Sequence, residues 1–171
     1  MFRASQKTKE RIANNIVDFM NGKSPLLPEV KTFIVNWVMT GPEEKSKASF
    51  DIWAIVLKNY LPKERPVLFR SCTRLSKRPI QCFTGRIRCA EKFSDGHGGH
   101  VLVCDTKEYL QFETEGTEHR HNFFSVYDLV RRDLASENPQ FTQRFYDDYS
   151  DEDEYIVCVD LSWMYDLKWN R

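Results

Sequence analysis

The sequence predicts an α+β fold in which helices come first and strands follow. Apolar residues recur at helical spacing through the first 62 residues, whereas short apolar runs bounded by turn residues dominate the rest. No regular alternation of strand and helix is visible, which disfavours a doubly wound parallel sheet. We therefore expect a helical amino-terminal region over 1–62 that packs on a core over 63–171.

Three helices are expected in the amino-terminal region. The apolar residues of the segments 12–20, 30–38 and 50–61 each form one stripe. Pro28 suits the first turn of the second helix, where its missing N–H costs nothing. Each segment then meets helix-breaking residues, which are Gly22, Gly41-Pro42 and Pro62.

The core is expected to consist of short strands with a few helices between them. β-branched and aromatic runs predict strands at 67–72, 80–83, 101–104, 109–112, 155–159 and 161–165. Helical spacing predicts helices over 86–93 and 123–134. The glycine-rich segment 95–100 is expected to be a turn, because its glycines lack the spacing of a dinucleotide-binding loop.

Composition narrows the classes of protein. The chain has 171 residues and a formal net charge of zero, so no overall field attracts it to nucleic acid or to a membrane surface. The five cysteines are odd in number and include no Cys-x-x-Cys, which is typical of free thiols in a reducing cytoplasm. The polar amino terminus and the lack of an apolar stretch of about 18 residues predict neither a signal peptide nor a membrane span.

Charge is nevertheless unevenly distributed along the chain. A basic stretch over 63–92 and an acidic stretch over 147–154 are, on the simplest interpretation, solvated surface. However, Arg70 ends an apolar strand, where a guanidinium suits bidentate binding of phosphate. Glu152 and Glu154 lead into the 155–159 strand, and strand alternation predicts both carboxylates on one face, about 7 Å apart. Paired carboxylates suit chemistry at an anomeric carbon.

Three blocks carry a resemblance to a known family. They are Phe69-Arg70-Ser71 after a proline-containing turn, Phe83-Thr84-Gly85 before a helix, and Glu152-Asp153-Glu154 at the start of a strand. In this order they resemble the Arg, Ser-Thr-Ser and Glu-x-Glu motifs of ADP-ribosyltransferases. The nearest likeness is to the small arginine-modifying enzymes of tailed phages, the Mod and Alt group.

The resemblance implies a pair of packed antiparallel sheets with NAD, the co-substrate, in a cleft between them. Arg70 is then expected to hold a phosphate and ribose of NAD, and the backbone of Ser71 to grip the nicotinamide amide. Thr84 is expected to shape the pocket and to position the catalytic glutamate.

The resemblance also implies the reacting groups. Glu154 is expected to be the catalytic carboxylate that stabilises an oxocarbenium-like transition state, and Glu152 to engage the acceptor. Tyr149 is expected to meet the target. The predicted function is mono-ADP-ribosylation of a protein side chain, with arginine as the expected acceptor. A phage-encoded enzyme of this kind acts on host proteins in the host cytoplasm.

Two other functions stay open. Ser71 stands where the family has glycine, and Phe83-Thr84-Gly85 lacks both serines of Ser-Thr-Ser, so the chain is alternatively an inert protein that binds NAD or ADP-ribose, or that inhibits a partner protein. Nucleic acid is a further possible acceptor, which the basic stretch permits and the zero net charge disfavours. No metal is expected, because the histidine pairs His97/His100 and His119/His121 lack the spacing of zinc-hydrolase ligands.

Overall fold

The computed structural model describes residues 2–41, 44–75, 77–93, 99–110 and 122–169. Three helices precede a mixture of strands and short helices, so the predicted α+β class is confirmed. No helix in these ranges is long and apolar enough to cross a membrane. The prediction that the histidine pairs bind no metal involves His97, His119 and His121, which lie outside the described residues.

The first three helices are α1 (Gln6–Met20), α2 (Pro28–Met39) and α3 (Lys47–Asn59). Ser5 and Ser46 cap α1 and α3, since each hydroxyl accepts a hydrogen bond from a backbone N–H three residues ahead. Gly22 adopts a left-handed φ of 74° just after α1, a conformation that glycine tolerates best. All three helices lie close to their predicted positions.

The described strands form one antiparallel sheet. They are β1 (Val67–Cys72), β2 (Ile80–Thr84), β3 (Gly99–Asp105), β4 (Asn122–Ser125), β5 (Glu154–Cys158) and β6 (Tyr165–Trp169). Their order across the sheet is β4-β5-β2-β1-β3-β6, and every neighbouring pair is antiparallel.

The sheet consists of two three-stranded halves with little pairing between them. Long registers join β4, β5 and β2 on one side and β1, β3 and β6 on the other, whereas β1 and β2 share the single register pair Phe69 and Thr84. Both halves contribute to one apolar cluster, in which Leu68 and Leu102 accompany Phe83 and Val157. The pairing of the sheet is therefore weakest where β1 meets β2.

The amino-terminal helices cover the other face of the β4-β5-β2 half. A second apolar cluster joins residues of α1, α2 and α3 to Ile80, Phe124 and Ile156 of the strands. Trp37 and Trp53 are its largest buried side chains, and their rings pack edge to face with centroids 5.5 Å apart. The helices thus share a hydrophobic core with the half of the sheet that carries Glu154.

Shorter elements complete the fold. They are α4 (Ile87–Phe93), α5 (Thr106–Leu110), α6 (Val126–Leu134), α7 (Gln143–Tyr149) and two 3₁₀ turns, Ser150–Glu152 and Leu161–Trp163. Helix α7 has no fully buried residue, and the sequence analysis predicted no helix there.

Three predictions of local structure are wrong. The described part of the 109–112 segment belongs to helix α5 rather than to a strand. The predicted 123–134 helix begins only at Val126, because Asn122–Ser125 forms a strand that is buried along its whole length. Continuous burial removes the alternation that identifies a strand. The predicted 161–165 strand is a 3₁₀ turn, and the last strand starts at Tyr165.

Candidate functional site

Three strands that are distant in sequence meet at the candidate site. Phe69 on β1 is the register partner of Thr84 on β2, and Thr84 is the partner of Glu154 on β5. Directly opposed residues of an antiparallel sheet present their side chains on the same face. One row of side chains therefore crosses β1, β2 and β5 where the two halves of the sheet meet.

A cleft of about 420 Å³ opens at this row. Its volume falls within the range of small-molecule sites. The end of α2 and the following loop form one wall, and β1 and β2 form the other. The structure brings five of the six sequence-predicted site residues into its lining: Arg70, Ser71, Thr84, Glu152 and Glu154.

Arg70 reaches across the place where β1 and β2 separate. Its Nη1 donates a hydrogen bond to the backbone carbonyl of Cys82, 2.6 Å away. In a longer β1–β2 ladder, a backbone N–H of β1 would have donated to this carbonyl instead. Its Nε is buried and has no hydrogen-bond partner among the residues that the structure describes. Because an unsatisfied buried donor costs free energy, this N–H is suited to an acceptor on a bound anion.

Thr84 fixes the loop that carries the two glutamates. Its hydroxyl donates to the carbonyl of Glu152 at 2.7 Å and accepts from the N–H of Arg86 at 3.1 Å. The N–H of Gly85 donates to the carbonyl of Asp153 at 3.1 Å. The end of β2 therefore binds the backbone of the Glu-x-Glu sequence at Glu152 and at Asp153.

The central residue of that sequence has an unusual backbone. Asp153 is left-handed, with φ of 42°, and its side chain lies against Gly85, where an added Cβ would come within 2.1 Å of Oδ2. Burial raises the pKa of the Asp153 carboxyl, and the nearby Arg86 opposes the rise. Only glycine at position 85 lets this loop approach β2 so closely.

The Glu154 side chain is only 11% exposed, and its partners come from the helical region. The indole Nε1 of Trp37 donates to Glu154 Oε1 at 3.2 Å. The Nζ of Lys45 lies 3.3 Å from the same oxygen and 3.6 Å from the centroid of the Trp37 ring. Lys45 is 7% exposed, so the two charges form a buried ion pair in the wall of the cleft.

Two neighbouring groups are held in their neutral forms. Burial, followed by the negative charge of Glu154, raises the pKa of the Cys82 thiol. Burial and then the same carboxylate also raise the pKa of the Tyr127 hydroxyl. A thiol with a raised pKa is a poor nucleophile, so the acid–base chemistry of the cleft rests on its carboxylates.

Comparisons with known proteins find no match: neither a protein-family model, nor a curated protein, nor a solved structure resembles the chain.

The structure corrects one argument from sequence about the glutamates. Glu152 belongs to the 3₁₀ turn Ser150–Glu152, and only Glu154 lies in the strand, so strand alternation is not what brings them together. The turn and the left-handed Asp153 place both in the cleft lining instead. Tyr149 is not in that lining; its ring packs on Phe145, with centroids 5.2 Å apart.

Sequence reasoning missed Trp37 and Lys45. Trp37 lies in the apolar stripe of α2 and was interpreted as core, which its burial supports, but its indole N–H also faces the carboxylate. A useful signal is that a buried indole needs an acceptor for its N–H. Nothing in the sequence near Lys45 indicates a partner that is 109 positions away.

Proposed function

We propose that the chain is a mono-ADP-ribosyltransferase that moves ADP-ribose from NAD to a protein side chain, with arginine as the expected acceptor. The observation that supports this most strongly is the meeting of Arg70, Thr84 and Glu154 in one cleft, from three strands. We further propose that the two halves of the sheet are the pair of packed sheets implied by the family resemblance.

The cleft has groups that suit an anionic dinucleotide. Arg70 offers a buried, unsatisfied N–H to a phosphate oxygen, and a guanidinium is the side chain best matched to that group. Ser71 adds backbone and hydroxyl groups beside it. When bound, NAD supplies the glycosidic bond whose cleavage releases nicotinamide.

The carboxylates then have separate roles. Glu154 stabilises the positive charge that develops on the ribose as the C1′–N bond breaks and its electron pair leaves with nicotinamide. Glu152 orients the acceptor guanidinium, whose nitrogen supplies the pair for the new C1′–N bond, and takes up the proton that this nitrogen loses. The chain contributes positioning and electrostatics, and no covalent enzyme intermediate is required.

A second candidate is an inert protein of the same fold that binds NAD or ADP-ribose, or inhibits a partner. The observation that favours it is the Lys45–Glu154 pair, because a carboxylate already engaged by a cation is a weaker partner for a second positive charge. Ser71, which stands where the resembled family has glycine, also favours an inert protein. This candidate predicts tight binding of NAD with no release of nicotinamide and no transfer of ADP-ribose.

The test uses NAD that is labelled in its adenylate half. The wild-type chain is incubated separately with a bacterial lysate freed of nucleic acid, with DNA and with RNA. Transfer to protein that is lost in Glu154→Gln and kept in Glu137→Gln, an exposed control carboxylate, supports the proposal. Label on nucleic acid alone refutes a protein acceptor. Binding of NAD with no transfer and no nicotinamide release favours the inert protein.

A further inference from the structure

The helical amino-terminal region supplies the groups that surround Glu154. Trp37 comes from α2, and Lys45 comes from the loop between α2 and α3. Both approach the same carboxylate oxygen, Oε1, at 3.2 and 3.3 Å. The Cys82 thiol of β2 also forms a hydrogen bond with this carboxylate. Two donors from the helical region thus hold a carboxylate that belongs to the sheet.

We propose that Trp37 and Lys45 are positioning residues that hold the Glu154 carboxylate in place in the wall of the cleft. The role of the carboxylate in catalysis rests on the proposed function, whereas the hold of Trp37 and Lys45 on it does not. The inference gives the amino-terminal region a second task, because the end of α2 and the following loop also form one wall of the cleft.

The need for a counter-charge follows from burial. A carboxylate that is 11% exposed loses most of its hydration, and a buried charge without a partner is costly. Lys45 provides the compensating charge at a distance where an opposite charge acts most strongly.

Orientation follows from the rigidity of Trp37. Its side chain is 1% exposed and packs edge to face against Phe50 and Trp53, both of α3, with ring centroids 5.5 Å away. An indole held on both sides cannot turn its N–H elsewhere. The ring face also carries the Lys45 ammonium at 3.6 Å, so one anchored side chain fixes both donors.

The other charged and titratable groups near the carboxylate are accounted for. They are Cys82 and Arg70 from β2 and β1, Tyr127 from α6, and Glu152 and Asp153 along the chain. None of them changes in the variants below, so a difference between variants reports on Lys45 alone.

The first test needs no activity. The indole N–H of Trp37 is identified in a ¹⁵N spectrum as the peak lost in Trp37→Phe, and its chemical shift is compared between variants at neutral pH. In Lys45→Met the peak is expected to move, because the ammonium that lies on the indole ring and shares its acceptor oxygen is gone. In Lys45→Arg, which keeps the charge, the peak is expected to stay nearer its wild-type position. An unmoved peak in Lys45→Met overturns the inference.

Activity gives the second readout. Lys45→Met lowers kcat for nicotinamide release by about 10-fold or more and changes KM little, and Lys45→Arg restores the rate. A loss that falls on KM instead, or that arginine does not restore, contradicts a positioning role. If the wild-type chain releases no nicotinamide although the Trp37 peak moves in Lys45→Met, the proposed function is refuted and the hold of Lys45 on the carboxylate is supported.

Discussion

The hydroxyl of Thr84 donates to the backbone carbonyl of Glu152 across 68 positions of sequence, at 2.7 Å. The same hydroxyl accepts from the N–H of Arg86, so one buried side chain ties the end of β2 to the loop in front of β5. The position of both glutamates in the cleft depends on this connection.

Replacement of Thr84 with valine tests that connection. The change leaves a carbonyl and an N–H without their partner, and each lost hydrogen bond costs about 1 kcal/mol, so we expect a loss of about 2 kcal/mol in the free energy of unfolding. Thr84→Ser keeps the hydroxyl and is expected to lose clearly less. Urea denaturation measures both variants, and equal losses would show that the hydroxyl is not what matters.

Gly85→Ala tests the close approach of the loop. The new Cβ would lie 2.1 Å from Asp153 Oδ2, so the loop must move, at an expected cost of about 1–3 kcal/mol. Asp153→Gly removes the obstructing side chain and tolerates the left-handed backbone. The same alanine substitution in that background is therefore expected to cost much less, and a double-mutant cycle by urea denaturation measures the difference. Additive losses would contradict this account.

The buried ion pair gives a second double-mutant cycle. Lys45→Met leaves a charged carboxylate buried beside Trp37, and breaking a buried pair from one side costs about 3 kcal/mol or more. The double variant Lys45→Met with Glu154→Gln removes both charges and is expected to regain part of that loss. If the loss of unfolding free energy in the double variant equals the sum of the losses in the two single variants, the two charges are not coupled.

Asp153 predicts a dependence of stability on pH. Burial raises its pKa above the ordinary 3.8, so the folded chain binds this proton more tightly than the unfolded chain does. The favourable contribution is complete below the unfolded pKa and is lost as the pH rises through the folded value. Asp153→Asn keeps a residue that tolerates φ above zero and removes the charge. Its gain in unfolding free energy over wild type is expected to grow between about pH 4 and pH 7. A constant gain would exclude titration as the cause.

The parts of the fold that sequence predicts are those with one dominant local signal. The stripes of α1 to α3 and the apolar run at β1 are examples, because periodicity and turn residues agree there. The buried strand Asn122–Ser125 was taken for helix, since four consecutive buried residues show neither period clearly. Helix α7 has no fully buried residue, because its aromatic face is only half-buried against the helical core, and no apolar stripe identified it.

The candidate site also contains residues that the sequence predicts and contacts that it does not predict. Arg70, Thr84 and Glu154 carry recognisable local context, and sequence could propose that they meet. The ion pair of Glu154 with Lys45 could not be proposed, because it depends on how the helical region packs on the sheet. Packing between segments that are far apart in the sequence produces no periodic pattern among neighbouring residues.

The measurement that tests the central claim most directly is nicotinamide release from NAD by the purified chain with lysate protein as acceptor. The variants are Glu154→Gln, Arg70→Lys and the exposed control Glu137→Gln, each checked for folding by circular dichroism. We predict release by the wild type and the control, a fall of about 100-fold or more in Glu154→Gln, and a rise in KM for NAD in Arg70→Lys. Release that Glu154→Gln leaves unchanged, or no release by a folded wild-type chain, would contradict the assignment of this cleft as a transferase site.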